Sequence, residues 1–208
     1  MYFPVSEYFT GFQGEGKFTG SYCLFIRFAD CNFACPFCDT VDRIGKTNFQ
    51  LTLNNILDLI KEGNHRHIVL TGGEPCLYSE HLLKLGETLS SKKVFVEVET
   101  NGSLPIVDPD CFLKEWHFNI SPKVWNADAY EKLFSPKKRI YKFPLSQQNY
   151  EATVTFMGTY GLLAEEIYVT PLGASREEYE KEWKFVYEKA LQHHWNFSSR
   201  LQILHGFR

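Results

Sequence analysis

Three cysteines within eight residues, directly after an apolar strand, constrain this sequence more than any other feature. Cys31, Cys35 and Cys38 have the spacing C-x3-C-x2-C, and the β-rich run Tyr22–Phe28 leads straight into them. Thiolates on one tight loop can bind a common metal centre, and three ligands leave one coordination position open. Ordinary electron-transfer clusters use four cysteines, and no fourth cysteine or histidine follows at short range. The loop therefore predicts a reactive metal centre.

The remainder of the sequence indicates a reducing compartment, in which crowded cysteines favour metal binding over disulfides. The amino terminus lacks the basic and apolar regions of a secretory signal, and no apolar stretch approaches the roughly 18 residues of a membrane span. We therefore expect a cytoplasmic protein. Cys23, Cys76 and Cys111 are scattered along the chain, and we expect them to be small apolar core residues.

Length and charge favour a small-molecule site over a large charged partner. The 208 residues suffice for a buried core in one domain, or in two small ones at most. The formal net charge is −3 and the signs are well mixed. The sequence thus lacks the electrostatic footprint of a protein that binds nucleic acid or an anionic membrane.

Predicted strands alternate with predicted helices, which is the pattern of a parallel α/β sheet with helical crossovers. Six β-rich runs predict strands at Tyr22–Phe28 and at residues 67–70, 94–99, 116–120, 139–143 and 166–170. Helical spacing of apolar residues predicts a helix between Thr52 as N-cap and Gly63, two more at 80–89 and 127–134, and a last one that begins with a capping box of Ser175 and Glu178. Residues 145–163 give no clear pattern.

Polar loops follow four of the predicted strands. They are the cysteine loop, Thr-Gly-Gly-Glu-Pro at 71–75, Thr-Asn-Gly at 100–102 and Ser-Pro-Lys at 121–123. In parallel α/β architectures, ligands bind at the carboxyl ends of the strands. We therefore expect the four loops to face one shared site.

The last predicted helix carries a long apolar stripe. Stripes of this kind are far more often core packing than cofactor surfaces, so we expect the whole stripe to be buried. Its members are Tyr179, Trp183, Val186, Tyr187, Ala190 and Leu191.

The cysteine loop resembles the signature of the radical S-adenosylmethionine (SAM) superfamily, in which an aromatic residue precedes the third cysteine, as Phe37 does here. Residues 71–75 resemble the glycine-rich loop of that superfamily, whose backbone meets the methionine amino group. The resemblance implies that Cys31, Cys35 and Cys38 hold a 4Fe–4S cluster whose open iron binds SAM. A zinc site with a distant fourth ligand stays open as an alternative, although zinc sites usually come as two close pairs.

A narrower resemblance rests on further segments. Residues 11–16 read Gly-Phe-Gln-Gly-Glu-Gly, residues 24–31 lead into the first cysteine, Cys-Asp-Thr stands at 38–40 and Ser-Pro-Lys at 121–123. Together they resemble the 7-carboxy-7-deazaguanine synthase family over most of the chain up to about residue 123. The resemblance implies a lyase that converts 6-carboxy-5,6,7,8-tetrahydropterin to 7-carboxy-7-deazaguanine with loss of ammonia, in queuosine and 7-deazapurine biosynthesis.

The same resemblance implies an architecture and a set of partners. It implies an incomplete TIM-like barrel of about six parallel strands with the radical SAM core. Residues 1–208 would form a single domain, with 1–21 as an amino-terminal substrate-binding extension and 22–208 as the partial barrel. It also implies Mg²⁺ as a further cofactor, a homodimer, and a reductase such as flavodoxin as electron donor.

The resemblance also assigns roles to individual residues of this sequence. The implied SAM contacts are Phe37, Cys38, Asp39, Gly73, Glu99, Ser121, Pro122 and Lys123. The implied substrate contacts are Phe12, Gln13, Gly14, Glu15, Arg27, Thr71 and His205. Thr40 is the implied magnesium ligand, and its hydroxyl is a hard oxygen of the kind that Mg²⁺ requires.

Side-chain chemistry supports the substrate assignments. Arg27 can clamp a carboxylate bidentately, and the implied substrate carries one. An ion pair between Arg27 and a surface acid is the alternative. Gln13 and Glu15 can read the amide and amino edge of a pterin, and a polar site rejects analogues that leave its groups unpaired.

Other interpretations stay open. Family members tend to end in Gln-x-His, but here Gln202 precedes His205 by three positions, so His205 either reaches the substrate or lies in solvent. An activase that generates a glycyl radical on a partner protein would share the cluster and the glycine-rich loop. A non-enzymatic zinc-binding module and a cluster enzyme with another substrate are the remaining alternatives.

Overall fold

A computed structural model of the chain describes residues 1–36, 38, 40, 42, 44–106 and 115–206, and it contains one sheet. The strands are β1 (Tyr2–Phe12), β2 (Tyr22–Phe28), β3 (Phe49–Thr52), β4 (His67–Gly72), β5 (Phe95–Thr100), β6 (His117–Ile120), β7 (Arg139–Leu145), β8 (Ile167–Pro171) and β9 (Asn196–Phe197). Their order across the sheet is β3-β1-β2-β4-β5-β6-β7-β8-β9. The six strands predicted from the sequence are all present.

Parallel pairing continues from β2 through β4, β5, β6, β7 and β8 to β9. β1 pairs antiparallel with β2 on one side and with β3 on the other. Within the described ranges, β3 and β9 stand at opposite ends of the order, so the sheet is not closed. The predicted α/β fold, an incomplete barrel of about six parallel strands, is confirmed. The division into residues 1–21 and 22–208 stays a prediction.

Five α-helices lie in the described part of the chain, four between strands and one after the last strand. They are α1 (Leu53–Glu62), α2 (Ser79–Leu89), α3 (Tyr150–Thr159), α4 (Arg176–His193) and α5 (Leu201–His205). The predicted caps are present, because Thr52 Oγ1 accepts from Asn55 N at 3.2 Å and Ser175 Oγ accepts from Glu178 N at 3.2 Å. These bonds satisfy amide donors that the first turn of a helix leaves unpaired.

The predicted helix at residues 127–134 is wrong. A 3₁₀ segment covers Val124–Ala129, with a non-helical Asn126 inside it. Tyr130 then holds the chain, since its hydroxyl donates to the carbonyl of Asn101 at 2.9 Å and accepts from Lys123 N at 2.8 Å. Tertiary hydrogen bonds and burial of this ring therefore override the local helical preference.

The expectation for the apolar stripe of α4 holds in part. Tyr179, Val186 and Ala190 are buried, but Trp183 is 42% exposed and Leu191 61% exposed. Tyr187 is also exposed, and its ring stacks on Trp183 at 5.1 Å. The apolar stripe is therefore wider than the face of α4 that is buried, and the exposed rings of Trp183 and Tyr187 pack on each other.

The buried interior is apolar around the sheet and contains two of the scattered cysteines. Cys23 and Cys76 are buried as expected, and Cys111 lies outside the described residues. The five cysteines that the structure describes are thiols rather than half-cystines. In the same part of the chain, no helix is long and apolar enough to cross a membrane.

Candidate active site

A cavity of about 460 Å³ lies at the carboxyl ends of the parallel strands. The loops after β2, β4, β5 and β6 all contribute to its wall, as the sequence predicted. Most of the predicted site residues line this cavity: Cys31, Cys35, Cys38, Thr40, Gly73, Glu99, Ser121, Lys123, Phe12, Gln13, Gly14, Glu15, Arg27 and Thr71. One enclosed space therefore joins the predicted cluster, cofactor and substrate residues.

Two predicted residues in the described part of the chain do not line that wall, and two more cannot be placed. Pro122 is buried behind it, and His205 is exposed at the end of α5. Phe37 and Asp39 lie outside the described residues. Of the two alternatives for His205, the structure has the exposed one.

The cysteine loop forms one wall of the cavity. Cys31, Cys35 and Cys38 are all half-buried, and burial raises the pKa of the Cys31 thiol. Cys31 Sγ accepts from the amide of Phe33 at 3.4 Å, and Cys38 N donates to the carbonyl of Cys35 at 3.3 Å. The loop is thus a tight turn that presents three sulfur atoms to one space.

The donor chemistry of this wall fits a 4Fe–4S cluster. Such a cluster takes its cysteine thiolates on different irons, so the sulfur atoms need not meet at one point. A single zinc ion needs a tight group of ligands, and among the residues that the structure describes no three His, Cys, Asp or Glu side chains form one. The zinc alternative therefore lacks its ligand group in the described ranges.

The glycine-rich loop after β4 packs directly on the cysteine loop. Gly73 N donates to the carbonyl of Phe28 at 3.0 Å, and Glu74 N donates to the carbonyl of Asp30 at 2.8 Å. A Cβ atom on Gly73 would lie 1.9 Å from Asp30 O. Glycine is required here because the two backbones are in contact.

Glu74 joins two loops of the site through its buried carboxylate. Its Oε1 accepts from Thr100 Oγ1 at 2.6 Å and from Cys76 N at 2.9 Å, and its Oε2 accepts from Asn101 N at 2.7 Å. Burial raises the pKa of Glu74, although these hydrogen bonds oppose the shift. The glycine-rich loop and the loop after β5 are therefore fixed to each other.

Replacing Glu74 with alanine is expected to destabilise the protein by about 3 kcal/mol, because three buried donors lose their acceptor. Urea unfolding of the two proteins measures the difference. Glu87→Ala is the control, since Glu87 is half exposed and pairs with Lys84 on α2, and it should cost less than about 0.5 kcal/mol. Equal losses in both variants would contradict the role assigned to Glu74.

Paired charges form another part of the cavity lining. Lys142 Nζ lies 2.7 Å from Glu15 Oε2 and 2.8 Å from Glu99 Oε2. Arg200 Nε lies 2.9 Å from Glu15 Oε1, and Gln202 Nε2 donates to the same oxygen. Burial favours a neutral Glu15, but the charges and hydrogen bonds of Lys142 and Arg200 outweigh it and lower its pKa.

Lys142, Arg200 and Gln202 also line the cavity, and none of them was assigned to the site from the sequence. One signal for Lys142 existed, because a lone lysine stands inside the apolar strand Ile-Tyr-Lys-Phe and buried lysines require a partner. Arg200 carries no comparable local signal, and Gln202 is marked only by its likeness to the Gln-x-His ending of the family. They reach the site because the chain end returns to it, where Leu201 N donates to the carbonyl of Gly14 at 3.0 Å.

Arg27 lies on β2 and pairs with an acid that also faces the cavity, not with the surface acid of its alternative interpretation. Its Nε lies 2.8 Å from Glu7 Oε1 on β1, and both side chains are largely buried. Both residues also line the cavity, next to the stacked rings of Phe9 and Phe25 at 4.8 Å. The ion pair is therefore part of the cavity wall rather than of the outer surface.

Comparison with known proteins identifies the class of enzyme. The sequence model of the radical SAM superfamily matches residues 25–146, so the chain belongs to that superfamily, and membership implies a 4Fe–4S cluster and SAM. A 7-carboxy-7-deazaguanine synthase of Escherichia coli (strain K12) is 31% identical over 160 residues, which cover 67% of this chain and 69% of that protein. The chain belongs to the 7-carboxy-7-deazaguanine synthase family.

Two further matches extend over nearly the whole chain. A 7-carboxy-7-deazaguanine synthase of Hyperthermus butylicus is 29% identical over 214 residues, covering 96% of this chain and 91% of the relative. The crystal structure of QueE from Escherichia coli matches with a TM-score of 0.73 and 24% identity, covering 95% of this chain and 93% of the other. The structural match shows a common fold, and the family match does not favour the activase or zinc-module alternatives.

Proposed function

We propose that this protein is a radical SAM lyase that converts 6-carboxy-5,6,7,8-tetrahydropterin to 7-carboxy-7-deazaguanine with loss of ammonia, in queuosine and 7-deazapurine biosynthesis. One observation carries the proposal beyond the family match. A single cavity is lined both by three thiols and by polar groups suited to a carboxylated pterin, Gln13, Glu15 and Arg27. That arrangement brings a cluster-bound cofactor and a small polar substrate together.

The cofactor side follows from the cysteine loop and its neighbours. Cys31, Cys35 and Cys38 would hold the cluster, and the glycine-rich backbone at Gly73 would meet the methionine part of SAM. Ser121 and Lys123 support this side, since Lys123 Nζ donates to Ser121 Oγ at 3.2 Å beside the same cavity. The further SAM contacts proposed from the resemblance are Phe37, Asp39, Glu99 and Pro122.

The substrate side rests on charge and shape. When bound, the reduced cluster and SAM supply a 5′-deoxyadenosyl radical that removes hydrogen from the substrate. Arg27 would orient the substrate carboxylate, and Glu15 would accept hydrogen bonds from the pterin edge. The stacked rings of Phe9 and Phe25 line the same wall and would exclude water. Phe12, Gly14 and Thr71 are the further proposed substrate contacts.

Replacing Arg27 with glutamine is expected to raise the KM for the carboxypterin roughly tenfold to 100-fold, because a charge-assisted hydrogen bond contributes about 1.5–3 kcal/mol. SAM affinity should stay within error of the wild-type value. Steady-state turnover and equilibrium SAM binding measure the two quantities. Arg176→Gln is the control, since Arg176 pairs with Glu180 in an exposed position. A wild-type KM in Arg27→Gln would contradict the assignment.

Magnesium at Thr40 is a further part of the proposal. Thr40 is buried at the cavity wall, and its Oγ1 lies 3.6 Å from Cys38 Sγ. Replacing Thr40 with valine removes the hydroxyl at similar volume, so we expect stimulation of turnover by Mg²⁺ to disappear while bound iron is unchanged. Thr40→Ser should retain the stimulation. Magnesium titration of the three proteins checks this, and an unchanged response of Thr40→Val would contradict it.

The family resemblance also supports proposals about partners. We propose a homodimer, a reductase such as flavodoxin as electron donor, and a cytoplasmic location. Sedimentation equilibrium of the purified protein tests the dimer. Turnover with flavodoxin and its reductase, compared with turnover on a chemical reductant, tests the donor.

Anaerobic turnover tests the proposed function as a whole. The assay supplies reconstituted protein, 6-carboxytetrahydropterin, SAM, reductant and Mg²⁺, and it identifies the product by mass. Formation of 7-carboxy-7-deazaguanine is the expected result. Reductive cleavage of SAM without this product would support a cluster enzyme that acts on another substrate.

A further inference from the structure

One buried lysine, Lys142, contacts both a carboxylate proposed to bind the substrate and a carboxylate proposed to bind SAM. Lys142 lies within β7, on the same inward face as the cavity-lining Pro144, and its side chain is 7% exposed. Its ammonium contacts two carboxylates at once, at 2.7 Å from Glu15 and 2.8 Å from Glu99. Burying a charge carries a large desolvation cost, and a paired charge in the interior often adds little stability over an apolar residue. The placement of Lys142 therefore indicates a role in the site.

Each of the two carboxylates is also held from another direction. Glu15 Oε1 accepts a hydrogen bond from Arg200 Nε at 2.9 Å. Glu99 Oε1 accepts hydrogen bonds from Gln13 Nε2 at 3.2 Å and from Asn119 Nδ2 at 2.9 Å. Lys142 binds the remaining oxygen, Oε2, of both carboxylates. Its position thus fixes the rotation and spacing of two anionic groups that would repel each other without it.

We propose that Lys142 is a shared positioning residue, whose ammonium holds Glu15 toward the substrate and Glu99 toward SAM, so that its loss weakens the binding of both ligands. The inference rests on the proposed function for the assignment of one carboxylate to each ligand. Lys142 acts through Glu15 and Glu99 rather than on a reacting atom. Loss of Lys142 should therefore weaken the binding of both SAM and substrate, whereas loss of either carboxylate should weaken the binding of only one of them.

The test compares Lys142→Met with Glu15→Gln and Glu99→Gln in cluster-loaded protein. Equilibrium titration gives the Kd for SAM, and steady-state turnover gives the KM for the carboxypterin. Glu15→Gln should raise the KM alone, Glu99→Gln should raise the Kd alone, and Lys142→Met should raise both by at least about tenfold. Lys138→Met is the matched control, because Lys138 pairs with Glu115 at an exposed position just before the same strand.

Several results separate the proposal from a merely structural role. A Lys142→Met protein that binds iron but changes only one constant, or neither, would overturn it. Should Lys142→Met fail to fold, Lys142→Arg, which retains the charge, is expected to raise both constants by smaller factors, and a change in one alone would overturn the proposal. Absence of carboxypterin turnover in the wild-type protein would count against the proposed function. The Kd for SAM then still tests Lys142, since an unchanged value in Lys142→Met would overturn the proposal.

Discussion

Replacing Cys35 with alanine is expected to abolish both cluster-bound iron and reductive cleavage of SAM. The side chain lines the cavity between Cys31 and Cys38 on the same loop, and the resemblance and the family match give the cluster three thiolates. Loss of one thiolate removes a ligand from a cluster that already has an open iron, so the remaining two cannot retain it. Iron content, visible absorption and formation of 5′-deoxyadenosine, all measured without air, check the result.

Cys23→Ala is the matched control for this experiment. Cys23 is fully buried on β2 and does not itself line the cavity, and burial raises the pKa of its thiol to about 12. Its loss removes one small apolar group, so iron content and cleavage should stay near the wild-type values. A Cys35→Ala protein that retained iron and cleaved SAM would refute the cluster assignment. Loss of iron in both variants would show that the effect reports folding alone.

Replacing Gly73 with alanine should cost about 100-fold or more in kcat/KM, because it displaces the loop that holds the cluster. The added methyl group would lie 1.9 Å from Asp30 O and 2.9 Å from Cys31 N, and both contacts are with backbone. A backbone cannot rotate away as a side chain can, so the cysteine loop must move. We expect lower iron content and weaker SAM binding in the same variant.

Gly158→Ala provides the control for the glycine substitution. Gly158 lies in α3, and an added Cβ there would meet nothing within 4 Å. Alanine favours a helix over glycine by up to about 1 kcal/mol, so this variant should be as stable as the wild type or slightly more stable. Iron titration, SAM binding and turnover compare the two variants. Wild-type SAM affinity in Gly73→Ala would contradict the close packing of the two loops.

Local patterns in the sequence predicted the parallel part of the fold well. The apolar run of β2 and the caps of α1 and α4 depend on neighbouring residues, which a single sequence displays. β1 was not predicted, because aromatic residues point to both of its faces, Phe3 inward and Tyr8 outward, and Pro4 weakens a strand pattern. Pairing with β2 is what makes this segment a strand. The error at residues 127–134 has the same origin, since Tyr130 is fixed by distant partners.

The same distinction between local and distant contacts separates the site residues that were predicted from those that were not. Loops that directly follow strands were placed correctly, because the carboxyl ends of parallel strands must share an edge. Arg200 could not be predicted, and Gln202 was marked only by the family's Gln-x-His ending, since both contact Glu15 across nearly the full length of the chain. The path of the returning chain also explains why His205 is exposed. α5 directs Gln202 and Ile203 to the cavity and leaves His205 exposed at its end.

In the proposed mechanism, one cavity holds SAM at the open iron of the cluster and holds a carboxylated pterin within hydrogen-transfer distance of it. The most direct test uses 6-carboxytetrahydropterin deuterated at C6 with reduced, cluster-loaded protein. We predict that deuterium appears at the 5′ carbon of SAM during turnover and that 7-carboxy-7-deazaguanine accumulates. The deuterium taken from the substrate would join two hydrogens in the methyl group of 5′-deoxyadenosine, and because any of the three can return, part of the deuterium stays behind when SAM is regenerated. Product without deuterium in SAM or 5′-deoxyadenosine, or no product at all, would contradict the account.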